Sequence, residues 1–279
     1  MQHTFKADKE CRLSEFLREK GVSRSLVCTL KQHEGAISVN GQSVHTDYHL
    51  KAGDMITLTE PKETDSGIIK TAEPKVPVLY EDGEVIVFDK PPFMPCHPSA
   101  KHIDDTLANY CAYITDGAVF RCINRLDRDT SGCCLIAKSR YCAGVIGKSI
   151  KKKYIALAQG AMNDEGVIEK PIRRKGESII ERECADDGQY AKTLYKTIAR
   201  NDKYSLCEVT LETGRTHQIR VHFSYIGHPL AGDDMYGGSP HEISRQALHC
   251  ASLEFITPDG GKRLTVTSPL PEDIRRLIY

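Results

Sequence analysis

The most constraining feature of the sequence is the grouping of its apolar residues from position 78 to the end. They form short runs that alternate with Gly and Asp, for example at residues 84–88, 134–137, 154–158 and 206–211. Short apolar runs bounded by turn residues are typical of β-strands. Helical periodicity is found chiefly at residues 106–115, 141–149 and 219–226. Because helices do not alternate regularly with strands, the pattern predicts an α+β fold with a largely antiparallel sheet.

Residues 1–60 show a different pattern. Two amphipathic stretches begin at Arg12 and Ser23, and short strand-like segments follow, one of them ending at Asn40-Gly41. An Asn-Gly pair favours a type I′ hairpin turn, because both central residues of that turn need a positive φ. The sequence therefore predicts a small α/β domain at 1–60, better suited to binding than to chemistry. Residues 61–77 are rich in Pro and charge and predict a linker to a second domain at 78–279.

Cysteine usage and hydropathy predict the cellular compartment of the protein. The 11 cysteines are odd in number and contain no C-x-x-C pair. This usage favours reduced thiols and predicts neither a disulfide framework nor zinc, with Cys133 and Cys134 interpreted as strand core. No apolar run approaches the roughly 20 residues that span a bilayer, and the first residues lack a secretory signal. We therefore expect a cytoplasmic protein with no membrane partner.

The overall charge excludes a protein that grips nucleic acid by bulk charge. The chain has 38 basic and 38 acidic residues, a formal net charge of zero. The distribution is uneven, however, because residues 121–175 hold many more basic than acidic side chains. A charge run is commonly only solvated surface, but this one surrounds the segment with the densest chemistry. A nucleic-acid partner would therefore bind through a focused basic patch.

That segment, residues 124–132, reads NRLDRDTSG and precedes an apolar run. Catalytic groups are commonly presented on loops held by a rigid strand. For Asp129, Thr130 and Ser131, capping of a polar turn is the favoured interpretation. Asp127 differs because it lies between two arginines, where a carboxylate stays ionised and available as a nucleophile or base.

The motifs resemble those of the RluA family of RNA pseudouridine synthases. The resemblance rests on segments that occur in the family's order over residues 78–279: KP at 90–91 with CHP at 96–98, RLDRDTSG at 125–132, KYIA at 153–156, GRTHQIRVH at 214–222, GHPLAGDDMYG at 227–237 and LHCA at 248–251. It implies the pseudouridine-synthase fold, with a mainly antiparallel mixed sheet, and isomerisation of uridine in structured RNA. The implied RNA is most commonly large-subunit ribosomal RNA.

The resemblance also implies roles for individual residues. Asp127 is the essential carboxylate, Arg220 its ion-pair partner and Tyr154 a ring that stacks on uracil and assists removal of the carbon 5 proton. From residue type alone, Arg220 is nearly as well interpreted as a phosphate contact and Tyr154 as core. Leu248 is a candidate for the pocket wall. Candidate RNA contacts in this domain are Lys90, His97, Arg125, Arg128, Lys153 and Arg215.

Residues 1–60 resemble the RNA-binding module of small ribosomal subunit protein S-four. The resemblance rests on Arg12-Leu13, the SRS segment at 23–25, VNG at 39–41 and GD at 53–54. It implies that Arg12, Arg24 and Lys31 contact RNA, and tethering would raise the effective concentration of RNA at the second domain.

Several alternatives stay open on the sequence alone. Transfer RNA is a second substrate class, and a silent RNA-binding ribosome-assembly factor or a hydrolase that releases uracil is a different kind of protein. The histidines of the last third do not form H-E-x-x-H, since His217 and His222 are five residues apart. We expect no metal, no cofactor and a monomer.

Overall fold

The computed structural model describes residues 1–63, 67–258 and 261–279, so residues 64–66 of the predicted linker lie outside it. The N-terminal unit (residues 1–60) consists of β1 (Gln2–Lys6), β2 (Cys11–Arg12), α1 (Leu13–Glu19), α2 (Arg24–Leu30), β3 (Ile37–Val39), β4 (Gln42–Ser43), β5 (His49–Leu50) and β6 (Met55–Thr59). Asn40 and Gly41 join β3 to β4 with φ of 49° and 82°. The predicted hairpin turn with two positive φ angles is therefore confirmed.

The C-terminal unit (residues 78–279) is mainly strands. These are β7 (Val78–Glu81), β8 (Val85–Lys90), β9 (Ser131–Ala137), β10 (Lys151–Gln159), β11 (Glu165–Glu169), β12 (Ile172–Arg174), β13 (Arg182–Cys184), β14 (Lys192–Arg200), β15 (Tyr204–Leu211), β16 (Leu248–Ile256) and β17 (Arg263–Thr267). The helices are α3 (Leu107–Ile114), α4 (Arg140–Ser149), α5 (Gln218–Tyr225) and α6 (Glu272–Arg275), with a 3-10 turn at Asp234–Tyr236. Within the described ranges, no helix is both long and apolar enough to cross a membrane.

One large sheet organises this unit. Its strand order is β11-β14-β15-β10-β16-β9-β8-β7, and β17 also pairs with β16. Neighbouring strands are antiparallel except β9 and β16, which run parallel where Ser131 and Gly132 face His249 and Cys250. The predicted α+β class with a mainly antiparallel mixed sheet is confirmed.

The sequence Thr-Ser-Gly at the start of β9 is explained by this parallel pair. Gly132 has a φ of 104°, a backbone conformation that residues other than glycine rarely adopt. A Cβ at this position would also collide with the carbonyl oxygen of Cys250. Every residue of β9 is buried. Glycine therefore lets the strand that follows the Asp127 loop approach β16 closely.

The N-terminal unit packs directly on α4 of the C-terminal unit. Glu60, at the end of β6, accepts hydrogen bonds from the backbone N–H groups of Arg140 and Tyr141 at 3.0 and 3.1 Å. A carboxylate at a helix N-terminus satisfies free donors and complements the helix dipole. The ring of Tyr141 also contacts those of His3 and Phe5. We call this contact the junction.

Candidate active site

Asp127 lies on the loop before β9, which the fold holds at several points. The backbone N–H of Thr130 donates to the Asp127 carbonyl at 3.1 Å, closing a turn. Asn124 fastens the loop to β9, since its side chain donates to the Cys133 carbonyl and accepts from the Leu135 N–H. Leu126 is buried. The side chain of Asp127 is thereby presented from a fixed backbone and stays 30% exposed.

Arg220 extends from α5 and bridges two carboxylates. Its Nε and Nη2 donate to the two oxygens of Asp233 at 2.7 and 2.8 Å, and its Nη1 donates to Asp127 Oδ2 at 3.3 Å. Asp233 has no exposed side-chain surface, whereas Arg220 is 7% exposed. The guanidinium carbon also lies 4.9 Å from the ring centre of Tyr236. Asp233 therefore orients Arg220, and Arg220 presents one further donor to Asp127.

Neighbouring carboxylates stabilise the charged form of Arg220. Burial by itself lowers its pKa, but the hydrogen bonds and charge of Asp233, followed by the charge of Asp127, raise that pKa overall. Arg220 is thus a permanent cation in a place where an unpaired charge would be costly. Its positive charge faces Asp127 Oδ2 at 3.3 Å, so the guanidinium can hold the Asp127 carboxylate in one orientation.

These groups line a small cavity of about 70 Å³. Pockets for drug-sized ligands commonly measure 300 to 1,000 Å³. The cavity is therefore suited to a single planar ring, not to a length of chain. Its lining combines Arg125, Leu126, Asp127, Thr130, Tyr154, Leu211, Arg215, His217, Gln218, Ile219, Arg220 and Leu248.

Tyr154 and Leu248 reach the cavity from adjacent strands. Tyr154 lies on β10 opposite Cys250 of β16, next to an irregularity in the strand register, and is 6% exposed. Burial raises the pKa of its hydroxyl well above the ordinary value, so the phenol is neutral. Leu248 begins β16 and is 5% exposed. The structure thus brings together the four predicted pocket residues, Asp127, Tyr154, Arg220 and Leu248.

Sequence reasoning missed three neighbours of this group. Asp233 accepts hydrogen bonds from Arg220, and the hydroxyl group of Tyr236 is hydrogen-bonded to Nδ1 of His217 at 2.8 Å. His217 Nε2 lies 3.8 Å from Asp127 Oδ2, and burial lowers the pKa of this imidazole although Asp127 opposes that effect. All three lie in the motifs at 214–222 and 227–237. The motifs therefore indicated these segments, but not which of their residues lie beside Asp127.

Two wider cavities adjoin the small one on its basic side. One, of about 530 Å³, contains His97, Arg125 and Arg128 in its lining, and the other, of about 440 Å³, contains Arg173, Arg174 and Arg182. Arg215 lines all three cavities. Their size and charge suit a polynucleotide backbone. Of the predicted RNA contacts here, Arg128 is paired with Asp129, and Lys153 forms an exposed ion pair with Glu208.

The prediction that Lys90 contacts RNA is wrong. Its side chain has no exposed surface, and Nζ donates to the backbone carbonyls of Pro91, Met94 and Arg128 at 2.8 to 2.9 Å. Lys90 therefore holds the segment after β8 against the Asp127 loop. The charged ammonium group can be buried because three carbonyl acceptors replace the water around it, so it is not available to a phosphate.

The three predicted RNA contacts of the N-terminal unit are exposed and lie outside the pocket. Arg12 precedes α1, Arg24 begins α2 and Lys31 follows it. They are therefore accessible to a separate part of a large ligand.

The described residues also contain one group of side chains able to hold a metal ion. The sulfur atoms of Cys96, Cys122 and Cys134 all lie within 4.8 Å of one another. Sequence reasoning missed this group because its members come from separate segments and only the fold brings them together.

A carboxylate and an arginine at a small cavity, beside wider basic cavities, suit an enzyme that acts on one nucleotide of a nucleic acid. The comparisons with known proteins are more specific. Residues 84–225 match the family model described as RNA pseudouridylate synthase. RNA pseudouridine synthase YjbO of Bacillus subtilis is 40% identical over 95% of this chain and 98% of the relative.

Two further relatives agree. Ribosomal large subunit pseudouridine synthase D of Pseudomonas aeruginosa is 33% identical over 88% of this chain and 83% of the relative. The solved structure of human RNA pseudouridylate synthase domain containing 1 has a TM-score of 0.60 at 25% identity, covering 76% of this chain and 86% of that one. The chain belongs to the RluA family of RNA pseudouridine synthases, and it isomerises uridine to pseudouridine in RNA.

Proposed function

We propose that this enzyme modifies uridines of large-subunit ribosomal RNA, with Asp127 as the essential carboxylate. The similarity to a protein named ribosomal large subunit pseudouridine synthase D supports the substrate. The observation that carries the residue assignment is the contact between Asp127 and Arg220 at the wall of a cavity that also contains Tyr154.

The reaction is a redox-neutral isomerisation. The bond between uracil N1 and the anomeric carbon breaks, the base turns, carbon 5 bonds to the anomeric carbon, and one proton passes from carbon 5 to N1. Asp127 supplies the carboxylate that attacks the sugar, attacks the ring or removes the sugar 2′ proton. Each route needs an ionised carboxylate next to the base, and none needs a cofactor. We therefore propose that catalysis uses side chains alone.

The neighbouring residues have supporting roles in this proposal. Arg220 limits the rotation of Asp127 through its hydrogen bond, while Asp233 fixes Arg220. The ring of Tyr154 stacks on the flipped base, and its neutral hydroxyl relays the carbon 5 proton by hydrogen bonding. Leu248 and Leu126 exclude water from one side of the cavity. His97, Arg125, Arg128, Lys153 and Arg215 hold RNA around the opening.

We propose the domain organisation of an RNA-binding domain at 1–60, a linker at 61–77 and a catalytic domain at 78–279. Arg12, Arg24 and Lys31 then contact RNA away from the reacting uridine. Contacts at the junction favour a fixed orientation of the first domain, because Glu60 bonds directly to α4. We further propose that the protein works as a monomer in the cytoplasm, an environment compatible with its 11 free thiols.

The test uses ribosomal and transfer RNA from a strain that lacks this enzyme. Each RNA is incubated with wild type, Asp127→Asn or Asp129→Asn, and pseudouridine is mapped at single-nucleotide resolution. We expect wild type and Asp129→Asn to modify large-subunit RNA, and Asp127→Asn to be slower by about a thousandfold or more. Asp129 is a suitable control because it adjoins the same loop but pairs with the exposed Arg128.

Other outcomes would overturn separate parts of the proposal. New sites only in transfer RNA would refute the ribosomal substrate and leave Asp127 in place. Equal rates for Asp127→Asn and wild type would refute the assigned carboxylate. Release of free uracil would indicate hydrolysis in place of isomerisation.

A further inference from the structure

Three thiols meet beneath the loop that carries Asp127. Cys96 follows β8, Cys122 precedes the loop and Cys134 lies within β9. Their sulfur atoms lie within 4.8 Å of one another, and those of Cys122 and Cys134 are 3.5 Å apart. The isomerisation proposed above uses none of them. We call this group the thiol cluster.

The spacing of the thiol cluster matches a single metal ion. A Zn–S bond measures about 2.3 Å, so two sulfur ligands in a tetrahedral site lie about 3.8 Å apart. The separations in the thiol cluster, from 3.5 Å up to the limit of 4.8 Å, bracket that value. A small inward rotation of the side chains is therefore enough to bring three sulfurs to one ion.

A buried cation lies near the thiol cluster. Lys90 is fully buried, and its hydrogen bonds go to backbone carbonyls, so its contacts supply no full negative charge. Cys96 and Cys134 are the groups whose negative charge would act most strongly on this ammonium. Three thiolates bound to a divalent cation carry one net negative charge, which the buried cation would offset.

The thiol cluster also has an entrance. Cys96 and Cys122 line the cavity of about 530 Å³ that adjoins the active site, whereas Cys134 lies behind them with no exposed surface. An ion bound by the three sulfurs would have its fourth position towards this cavity. Three protein ligands with one open position form an established coordination pattern for zinc.

We propose that Cys96, Cys122 and Cys134 bind one thiophilic divalent cation, for which Zn²⁺ has the fitting size and ligand preference. Binding forms three Zn–S bonds and sends the protons of the three thiols to solvent, with water as fourth ligand. The resulting charge of one negative unit is balanced by Lys90. This site differs from the expectation of no metal that the sequence alone supports, and two of its ligands line the same wide cavity as Asp127.

The site is coupled to the Asp127 loop through Leu126. Cys96 Sγ lies 3.4 Å from both the backbone nitrogen and the carbonyl oxygen of Leu126. Coordination would tie three chain segments together at this point. Bound metal is therefore expected to stabilise the folded protein as well as to protect the thiols.

The proposal is tested on the full chain, purified under a non-thiol reductant and freed of metal with a chelator. Zn²⁺ is titrated against a competing chromophoric chelator. We expect one ion per chain with a Kd below about 1 µM and release of about three protons per ion. Cys96→Ala, Cys122→Ala and Cys134→Ala should each weaken binding by at least a hundredfold, whereas Cys111→Ala, which removes a buried thiol of α3, should leave Kd within about twofold.

A second measurement does not depend on the variants. Co²⁺ added to wild type should give the near-ultraviolet sulfur-to-cobalt absorption of a site with three thiolates, and excess Zn²⁺ should remove it. Absence of saturable Zn²⁺ binding would refute the site. Binding without the sulfur-to-cobalt band, or binding that all three variants retain, would also refute it by showing that other ligands hold the ion.

Discussion

The junction and the active site each hold a carboxylate, but they satisfy it differently. At the junction, Glu60 is 7% exposed, and its two oxygens make hydrogen bonds with His3, Arg140 and Tyr141 at 3.0 to 3.1 Å. In the active site, Asp127 is 30% exposed and has one arginine contact at 3.3 Å. A carboxylate whose acceptors are occupied stabilises the fold, whereas one that is partly open to a cavity retains capacity for a substrate.

Asp233 shows that both arrangements occur within the active site. Like Glu60 at the junction, Asp233 is buried, and both of its carboxylate oxygens accept hydrogen bonds from Arg220. The strong interaction of Arg220 is therefore with the structural carboxylate, and the weaker one is with the proposed catalytic carboxylate. If Asp127 is the catalytic carboxylate, as proposed, this division lets it change partners during the reaction while Arg220 stays fixed.

The largest expected effect is that of Asp233→Asn. The change removes the negative charge and one of the two acceptor oxygens beside the buried guanidinium, so its remaining ion pair is the longer one to Asp127, and breaking a buried ion pair is strongly destabilising. We expect the free energy of unfolding to fall by about 3 kcal/mol and pseudouridine formation to fall with it. Chemical denaturation measures the first quantity. Asp234→Asn, at the exposed neighbouring position, is the control, and equal stability of the two variants would contradict the structural role of Asp233.

Tyr154→Phe separates the ring from the hydroxyl. The variant keeps the surface that stacks on a base and loses the group proposed to relay a proton, so we expect kcat to fall about a hundredfold with little change in RNA affinity. Single-turnover kinetics and filter binding measure the two quantities. Tyr195→Phe, on β14, is the control. An unchanged kcat would limit Tyr154 to stacking.

The sequence predicted the group of residues at the small cavity better than the surroundings of that cavity. Asp127, Tyr154, Arg220 and Leu248 lie in motifs, and the fold places all four around one cavity. Lys90 was misassigned because charge alone does not distinguish a surface cation from one enclosed by carbonyl groups. The thiol cluster was missed because its members are adjacent only across strands. The fold class followed from short apolar runs, but the contact of Glu60 with α4 depends on tertiary packing that periodicity does not encode.

A smaller effect is expected at the junction from Glu60→Gln. Burial opposes ionisation of Glu60, but the hydrogen bonds from His3 and from the N–H groups of Tyr141 and Arg140 lower its pKa from 4.5 to about 2. Because the folded-state pKa is depressed, the carboxylate contributes its full stability above pH 4.5 and loses it as the pH falls towards 2. We expect the variant to lose about 2 kcal/mol at neutral pH and to approach wild type in acid.

Denaturation curves of wild type and Glu60→Gln between pH 7 and pH 3 measure this difference. Glu81→Gln is a matched control because Glu81 forms a half-exposed ion pair with Lys138, worth less than about 1 kcal/mol. A difference between Glu60→Gln and wild type that stays constant with pH would contradict the proposed ionised contact.

The smallest effects are expected from exposed cations, one in the proposed catalytic domain and one in the proposed RNA-binding domain. Arg125 lines the small cavity and the wider one beside it, and Arg24 begins α2 of the N-terminal unit. If each neutralises one phosphate, Arg125→Ala and Arg24→Ala should each weaken RNA binding a few-fold and reduce the slope of log affinity against log salt by about one. Arg263→Ala, at an exposed pair with Glu254, is the control. Because the two variants remove the same charge, an unchanged slope for Arg24→Ala alone would refute the proposed contact of Arg24 with a phosphate.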